Sequence, residues 1–159
     1  MVILTGKIEP GLLRYGMIPV IDKIKKINPI IYIIDPDEGQ RSELEMLLKR
    51  TGYDAVCYPS AEIFLEAEQC SERFGCVISE MVLPGVDGLE LLSILRERNS
   101  HLPLIILTGD HDVGHAVTAL HRKASDYLVK PVIERELIKR IKITLQEARN
   151  MYQAAHITR

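Results

Sequence analysis

Cysteine, net charge and long apolar runs are all scarce in this 159-residue chain, and each shortage removes a class of protein. Three cysteines, Cys57, Cys70 and Cys76, are an odd count without metal-ligand spacing. They suit reduced thiols filling core or surface in a cytosolic protein, not a disulfide framework. A formal net charge of -2 and a pI near 6.2 offer no electrostatic case for nucleic acid or an anionic membrane, so this chain itself is expected to bind neither. No apolar run reaches the roughly 18 residues of a spanning helix. The N-terminus, interrupted by Glu9, Pro10 and Gly11, lacks a signal-peptide layout, and the cytoplasm is the expected compartment. GxxxxGK[ST], GxGxxG and GxSxG are all missing, which leaves nucleotide-triphosphatase, dinucleotide and hydrolase readings without their hallmark.

What remains is ordinary globular material, 47% apolar and 26% charged, enough for one domain with a buried core. Short β-rich runs alternate with helical spacing along it. Strands are predicted over 30–35, 54–58, 75–80, 103–107 and 125–129. Helices are predicted over 38–50, 61–71, 87–98 and 112–122, with a long last helix from Ile133. Five βα units, with strands as continuously apolar as Ile30-Ile31-Tyr32-Ile33-Ile34 and Leu104-Ile105-Ile106-Leu107, call for a parallel sheet covered on both faces. The expected fold is a doubly wound α/β sandwich, (βα)5 and flavodoxin-like. Ligand chemistry in such folds lies outside the C-terminal ends of the strands, here closed by Asp35, Glu80, Thr108 and Lys130.

Four segments, IYIIDPDEGQR, VISEMVLPGVDGLELL, LIILTGDHDV and ASDYLVKPV, stand in order along the chain. Together they resemble the receiver domain of two-component response regulators, most of all receivers of the FixJ type. The resemblance covers about residues 29–148 and implies a strand order of 2-1-3-4-5. It also implies that Glu80 occupies the phosphoacceptor position, where the family carries aspartate, and that Asp35 and its neighbour belong to an acidic Mg²⁺ pocket. That neighbour is Pro36, which has no side-chain oxygen, so a hard cation loses a charged ligand and only weak Mg²⁺ binding, through Asp35, is expected. Glu80 carries its carboxylate one methylene further out than aspartate, a displacement of the scale that costs about a hundredfold in a positioned reaction. Thr108, Tyr127 and Lys130 match the family's switch hydroxyl, switch aromatic and phosphoryl-gripping lysine, and Lys130 is able to pair with Glu80 or Asp35 instead.

Other polar residues have plainer readings. Asp37, just before Glu38 and Gly39, reads as a helix cap, with metal ligation as the lesser alternative. Ser79 alternates away from the crevice. His111, His115 and His121 read as surface histidines in preference to a metal site. Pro84 and Gly88 fit a tight loop and a helix entry.

The expected organisation is an N-terminal extension over 1–28, a receiver over 29–148 and a continuation of the last helix over 149–159. The extension is read as loosely docked, or as a partner or swapping arm using Ile18, Val20, Ile21 and Ile24. In the last helix Ile133, Leu137, Ile141, Leu145, Ala148, Tyr152 and Ala155 form a stripe that calls for a partner, as a linker to an output domain or a dimer seam. Two functions follow. One is a non-enzymatic regulatory module in transcription control, acting without phosphorylation through a protein partner (histidine kinase or output domain) or a second copy through the last helices. The other is a working receiver that takes a phosphoryl group from a histidine kinase on Glu80, with Asp35 and Asp37 holding Mg²⁺.

Overall fold

The computed structural model describes residues 27–68 and 74–157. Five strands, β1 (Ile30–Ile34), β2 (Asp54–Tyr58), β3 (Gly75–Ser79), β4 (Leu104–Thr108) and β5 (Asp126–Val129), form one parallel sheet in the order 2-1-3-4-5. Five helices connect and flank them: α1 (Glu38–Arg50), α2 (Ala61–Ala67), α3 (Gly88–Glu97), α4 (Val113–His121) and α5 (Glu134–Ile157).

Strand alternation divides the core into two layers. Tyr32, Ile34, Val77, Leu104 and Ile106 pack with Phe64 of α2 and with Leu91, Leu92 and Leu95 of α3. Ile31, Ile33, Cys76, Ile78, Ile105 and Leu107 pack with Leu47 and Leu48 of α1 and with Leu137, Ile141 and Leu145 of α5. Each buried Ile or Leu removes enough apolar surface to contribute about 1.5–3 kcal/mol, so the apolar strand sequences are a direct consequence of burial on both faces. Cys76 is one such filler and its thiol, raised by burial to about 12, is inert; Cys57 is half-buried.

Four helices start on an oxygen-bearing cap. Asp37, Ser60, Asp87 and Asp112 accept backbone N–H groups from Gln40, Ile63, Glu90 and Gly114 respectively, and Asp87 with Glu90 closes a full capping box. The plain reading of Asp37 therefore holds.

The expected element bounds are met to within a residue, apart from the end of α2. Strands β1 and β3 stop at Ile34 and Ser79 because the chain turns immediately into the crevice loops, leaving Asp35 and Glu80 just past the last paired residues. Strand β4 begins at Leu104 because Pro103 has no N–H to give the ladder, although its carbonyl still accepts Val77 N–H at 2.9 Å. Helix α2 ends at Ala67, with Glu68 already non-helical as its C-cap; the rest of the expected extension, 69–71 with Cys70, lies outside the described residues, as do Ile18, Val20, Ile21 and Ile24.

The stripe on the last helix finds much of its partner inside the chain. Leu137, Ile141, Leu145 and Ala148 are buried against the sheet layer, and the Tyr152 ring lies 5.9 Å from Phe74 at the foot of β3. The Arg149 guanidinium sits 4.9 Å from the centre of the same Phe74 ring. Beside Phe74, Gly75 must remain glycine, since a Cβ there would lie 1.9 Å from the Ile30 carbonyl oxygen.

Candidate functional site

Register and alternation assemble the crevice. Ile34 pairs with Ser79, and the Glu80 N–H donates to the Ile34 carbonyl at 2.8 Å, so the two carboxylates that follow β1 and β3 stand side by side. Thr108 pairs with Val129, and the next residue, Lys130, donates its N–H to the Thr108 carbonyl at 2.7 Å. Asp35, Glu80, Thr108 and Lys130 are thus brought together by main-chain pairing before any side chain is considered. Ser79 is fully buried and donates its hydroxyl to the Glu80 carbonyl at 2.8 Å, away from the crevice as its strand position requires.

The centre of the site is the Lys130 ammonium. It lies 2.8 Å from Asp35 Oδ2 and 3.0 Å from Glu80 Oε2, and it also contacts Gln40 Oε1. An ammonium has three donors, and here each has its own acceptor. Burial works against the charge on Lys130, but the hydrogen bonds it donates to Asp35 and Glu80 outweigh it and hold the group above the ordinary lysine range. Burial likewise pushes the Glu80 carboxyl up. Hydrogen bonds from Thr108, Lys130 and the Met81 N–H, which lies 2.7 Å from Oε1, more than compensate and leave it below the ordinary glutamate range.

Asp35 is nearly buried and fully engaged. Its second oxygen, Oδ1, accepts Asp37 N–H at 2.9 Å, and its carbonyl accepts an Arg41 guanidinium N–H at 2.7 Å. Pro36 forms part of the wall of the crevice, a shallow cavity of 390 Å³, and adds no oxygen of its own side chain. Asp37 Oδ1 is committed to the start of α1. The donors facing the crevice are therefore two carboxylates already bridged by an ammonium, and among the described residues no group of three or more His, Cys, Asp or Glu is placed to hold a metal ion. A Mg²⁺ ion, which is commonly held by one or two carboxylates and waters, would here have to share Asp35 and Glu80 with the Lys130 ammonium and would gain no side-chain oxygen from Pro36.

The remaining expected residues surround this core. Thr108 is fully buried, and its Oγ1 accepts the Asp110 N–H at 3.0 Å. Among the described residues the buried Tyr127 hydroxyl has no hydrogen-bond partner, and its phenol is pushed up first by burial and then by the Asp110, Glu80 and Asp112 carboxylates. His115, expected at the surface, is exposed and bonds Asp110; His111 and His121 are exposed as well.

Two contributors were not foreseen. Gln40 lies in the first turn of α1, where side chains lean back toward the helix N-terminus and so reach the strand ends; a polar residue three places after a capping Asp was the available signal. Glu62 of α2 reaches across to accept Val86 N–H at 2.5 Å and steadies the loop after β3. Nothing in the sequence marks that contact, because the two residues are 24 apart. The same loop passes under Gly88, where a Cβ would come within 2.9 Å of the Glu80 carbonyl oxygen.

Comparison with known proteins agrees with this geometry. The model of the response regulator receiver domain family matches residues 31–142. The transcriptional regulatory protein FixJ of Bradyrhizobium diazoefficiens is 37% identical over 118 residues, covering 74% of this chain and 57% of that protein. The response regulator protein FleR of Pseudomonas aeruginosa is 37% identical over 108 residues, covering 68% of this chain and 23% of FleR. Among solved structures, full-length FixJ from B. japonicum superposes with a TM-score of 0.71 at 37% identity, covering 76% of this chain and 59% of that one. The response regulator StyR gives 0.78 at 29% identity, covering 83% and 66%. The chain spans just over half the length of its FixJ relatives.

Proposed function

The chain belongs to the response regulator receiver domain family, and from that membership we propose that it is an atypical receiver, one that signals through protein contacts without a phosphoaspartate. The observation that carries this reading is the Lys130 ammonium held between Asp35 and Glu80 with Gln40 as its third acceptor. The lysine that would grip a phosphoryl group has no free donor, and the Glu80 carboxylate has one oxygen on Lys130 and the other on Met81 N–H. The module carries its own cation in place of Mg²⁺. Glu80 keeps a negative charge at the strand end, part of what a phosphoryl group would bring, with fewer oxygens and less charge.

An interaction role is supported by exposed apolar side chains on the last helices. Val113, Val117 and Leu120 lie on one face of α4 and are 74%, 49% and 55% exposed, and Ile143 and Met151 project from α5. This surface suits an output domain or a second copy of the chain, while a histidine kinase is the partner expected on the crevice side. Transcription control, the role named for FixJ, is proposed for the protein to which this module belongs. No helix among the described residues is long and apolar enough to cross a membrane.

The test is an amide NMR titration with Mg²⁺ and then beryllofluoride, following Asp35, Glu80, Thr108 and Lys130. The expected result is no saturable shift. Saturable, Mg²⁺-dependent shifts that reach Thr108 and Tyr127 would instead establish a receiver that accepts a phosphoryl group on Glu80, with Asp35 and Asp37 on the metal.

A further inference from the structure

We propose that His115 is a proton-operated input to the crevice: its charge holds the Asp110 carboxylate, and through it the loop that seats the Thr108 hydroxyl beside Glu80. The inference rests on the reading of a switch that phosphate does not throw, and it names what moves the switch instead.

The loop between β4 and α4 is held by its own acids. Asp110 N–H donates to Thr108 Oγ1 at 3.0 Å, Asp112 N–H donates to Asp110 Oδ1 at 3.0 Å, and Gly114 N–H donates to Asp112 Oδ1 at 2.7 Å. The other oxygen of Asp110, Oδ2, meets Nδ1 of His115. Asp110 therefore joins the first turn of α4, through its carboxylate, to the strand-end hydroxyl, through its backbone N–H, and that hydroxyl lines the same crevice as Glu80. Among the described residues His115 bonds Asp110, and the Lys130 ammonium bonds Asp35, Gln40 and Glu80, so the histidine exchanges its proton with solvent without touching the Lys130 cluster.

A second group competes for the same acceptor. Among the described residues the buried Tyr127 hydroxyl has no hydrogen-bond partner, and an unsatisfied buried donor gains by finding an acceptor. Burial raises its phenol first, and the Asp110 charge adds to the rise. While His115 is charged, Coulomb attraction keeps Asp110 on the α4 side. Once His115 is neutral that attraction is gone, and Asp110 is free to accept the Tyr127 O–H, which draws the Asp110 backbone away from Thr108.

The surroundings set the window. His115 bonds Asp110 and also feels the charges of Asp112 on the loop and Asp87 at the start of α3, while Asp110 in turn feels His111 and adds to the field on Tyr127 of β5. The Asp110 hydrogen bond raises its pKa first; slight desolvation opposes this, and the charges of Asp110, Asp112 and Asp87 add to the rise above the ordinary value of 6.5. The charged clasp is therefore complete at mildly acidic pH, and its Coulomb part is lost as pH rises through the raised value.

The test uses the full chain, with amide and histidine-ring NMR spectra between about pH 5.5 and about pH 8.5, the interval in which histidine titrates. The Thr108 and Glu80 amides are expected to follow the His115 ring with one shared midpoint, and this shift is expected to vanish in His115→Gln while His111 and His121 still titrate. Unchanged Thr108 titration in His115→Gln, or His115 titration with no movement at Thr108, overturns the proposal. Tyr127→Phe is expected to reduce the Thr108 shift at least twofold, and a full-sized shift there overturns the exchange of Asp110 between its two partners. The beryllofluoride titration fails or succeeds independently of these spectra, so a failure of the switch and a failure of the atypical-receiver reading are told apart.

Discussion

Lys130 governs the crevice because its three donors meet acceptors on three different segments: Asp35 after β1, Gln40 on α1 and Glu80 after β3. Removing that ammonium leaves two neighbouring carboxylates with no counter-charge. Breaking a fully buried pair costs about 3–5 kcal/mol, and this one retains some solvent, so Lys130→Met is expected to lower stability by about 2 kcal/mol in urea unfolding. The same pair gives stability a sign with pH. Glu80 titrates below its ordinary value of 4.5 in the folded chain, so the unfolded chain takes up its proton first. Its contribution is present above about pH 4.5 and is lost as pH falls through the folded value. Urea midpoints measured down this acid limb are expected to fall less steeply for Glu80→Gln than for the parent chain. Chemistry is addressed by a different pair of substitutions. Pro36→Asp with Glu80→Asp restores two aspartates to the pocket, and Mg²⁺-dependent labelling by a small phosphodonor is expected to appear in the double variant; absence of labelling would mean that Lys130 or Gln40, and not the altered acids, closes the site.

At the scale of the elements, α5 serves first as a structural helix. Its stripe reads from the sequence as a surface in need of a partner, because hydrophobic spacing shows that a face is apolar without showing what covers it. Phe74 covers part of it, joined by Tyr152 and Arg149. A Lys at position 145 therefore measures core disruption and not assembly. Leu145 is 7% exposed, and Leu145→Lys is expected to cost about 3 kcal/mol or more in unfolding experiments, as a charge forced among apolar neighbours does. The strands were legible for the opposite reason. Burial on both faces of β1, β3 and β4 leaves no alternation to misread, and Asp35, Thr108 and Lys130 are the first polar residues after apolar runs, while Glu80 follows the buried Ser79. Asp37 was legible as a cap from local chemistry alone. Gln40 and Glu62 were not, because their roles depend on how far α1 and α2 lean over the strand ends, which spacing along the chain does not encode.

For the whole molecule, the question is how a crevice that holds its own cation informs a distant surface. The route runs from Glu80 through Thr108 and Asp110 to His115, and it ends on the helix that exposes Val113, Val117 and Leu120. Helix α4 is the least anchored of the five: among its residues only Ala119 is fully covered, so its position responds to small changes in the loop before it. The exposed face of such a helix is where a second copy of the chain would sense the state of the crevice. Leu120→Lys leaves the monomer core untouched, because Leu120 is 55% exposed, and its unfolding free energy is expected to stay within about 0.5 kcal/mol of the parent. Its sedimentation mass is nevertheless expected to fall to that of one chain if α4 is the seam. A dimer that survives Leu120→Lys but dissociates with Met151→Lys would transfer the seam to the exposed side of α5, and signalling from the crevice would then have to travel through Lys130 and the start of that helix.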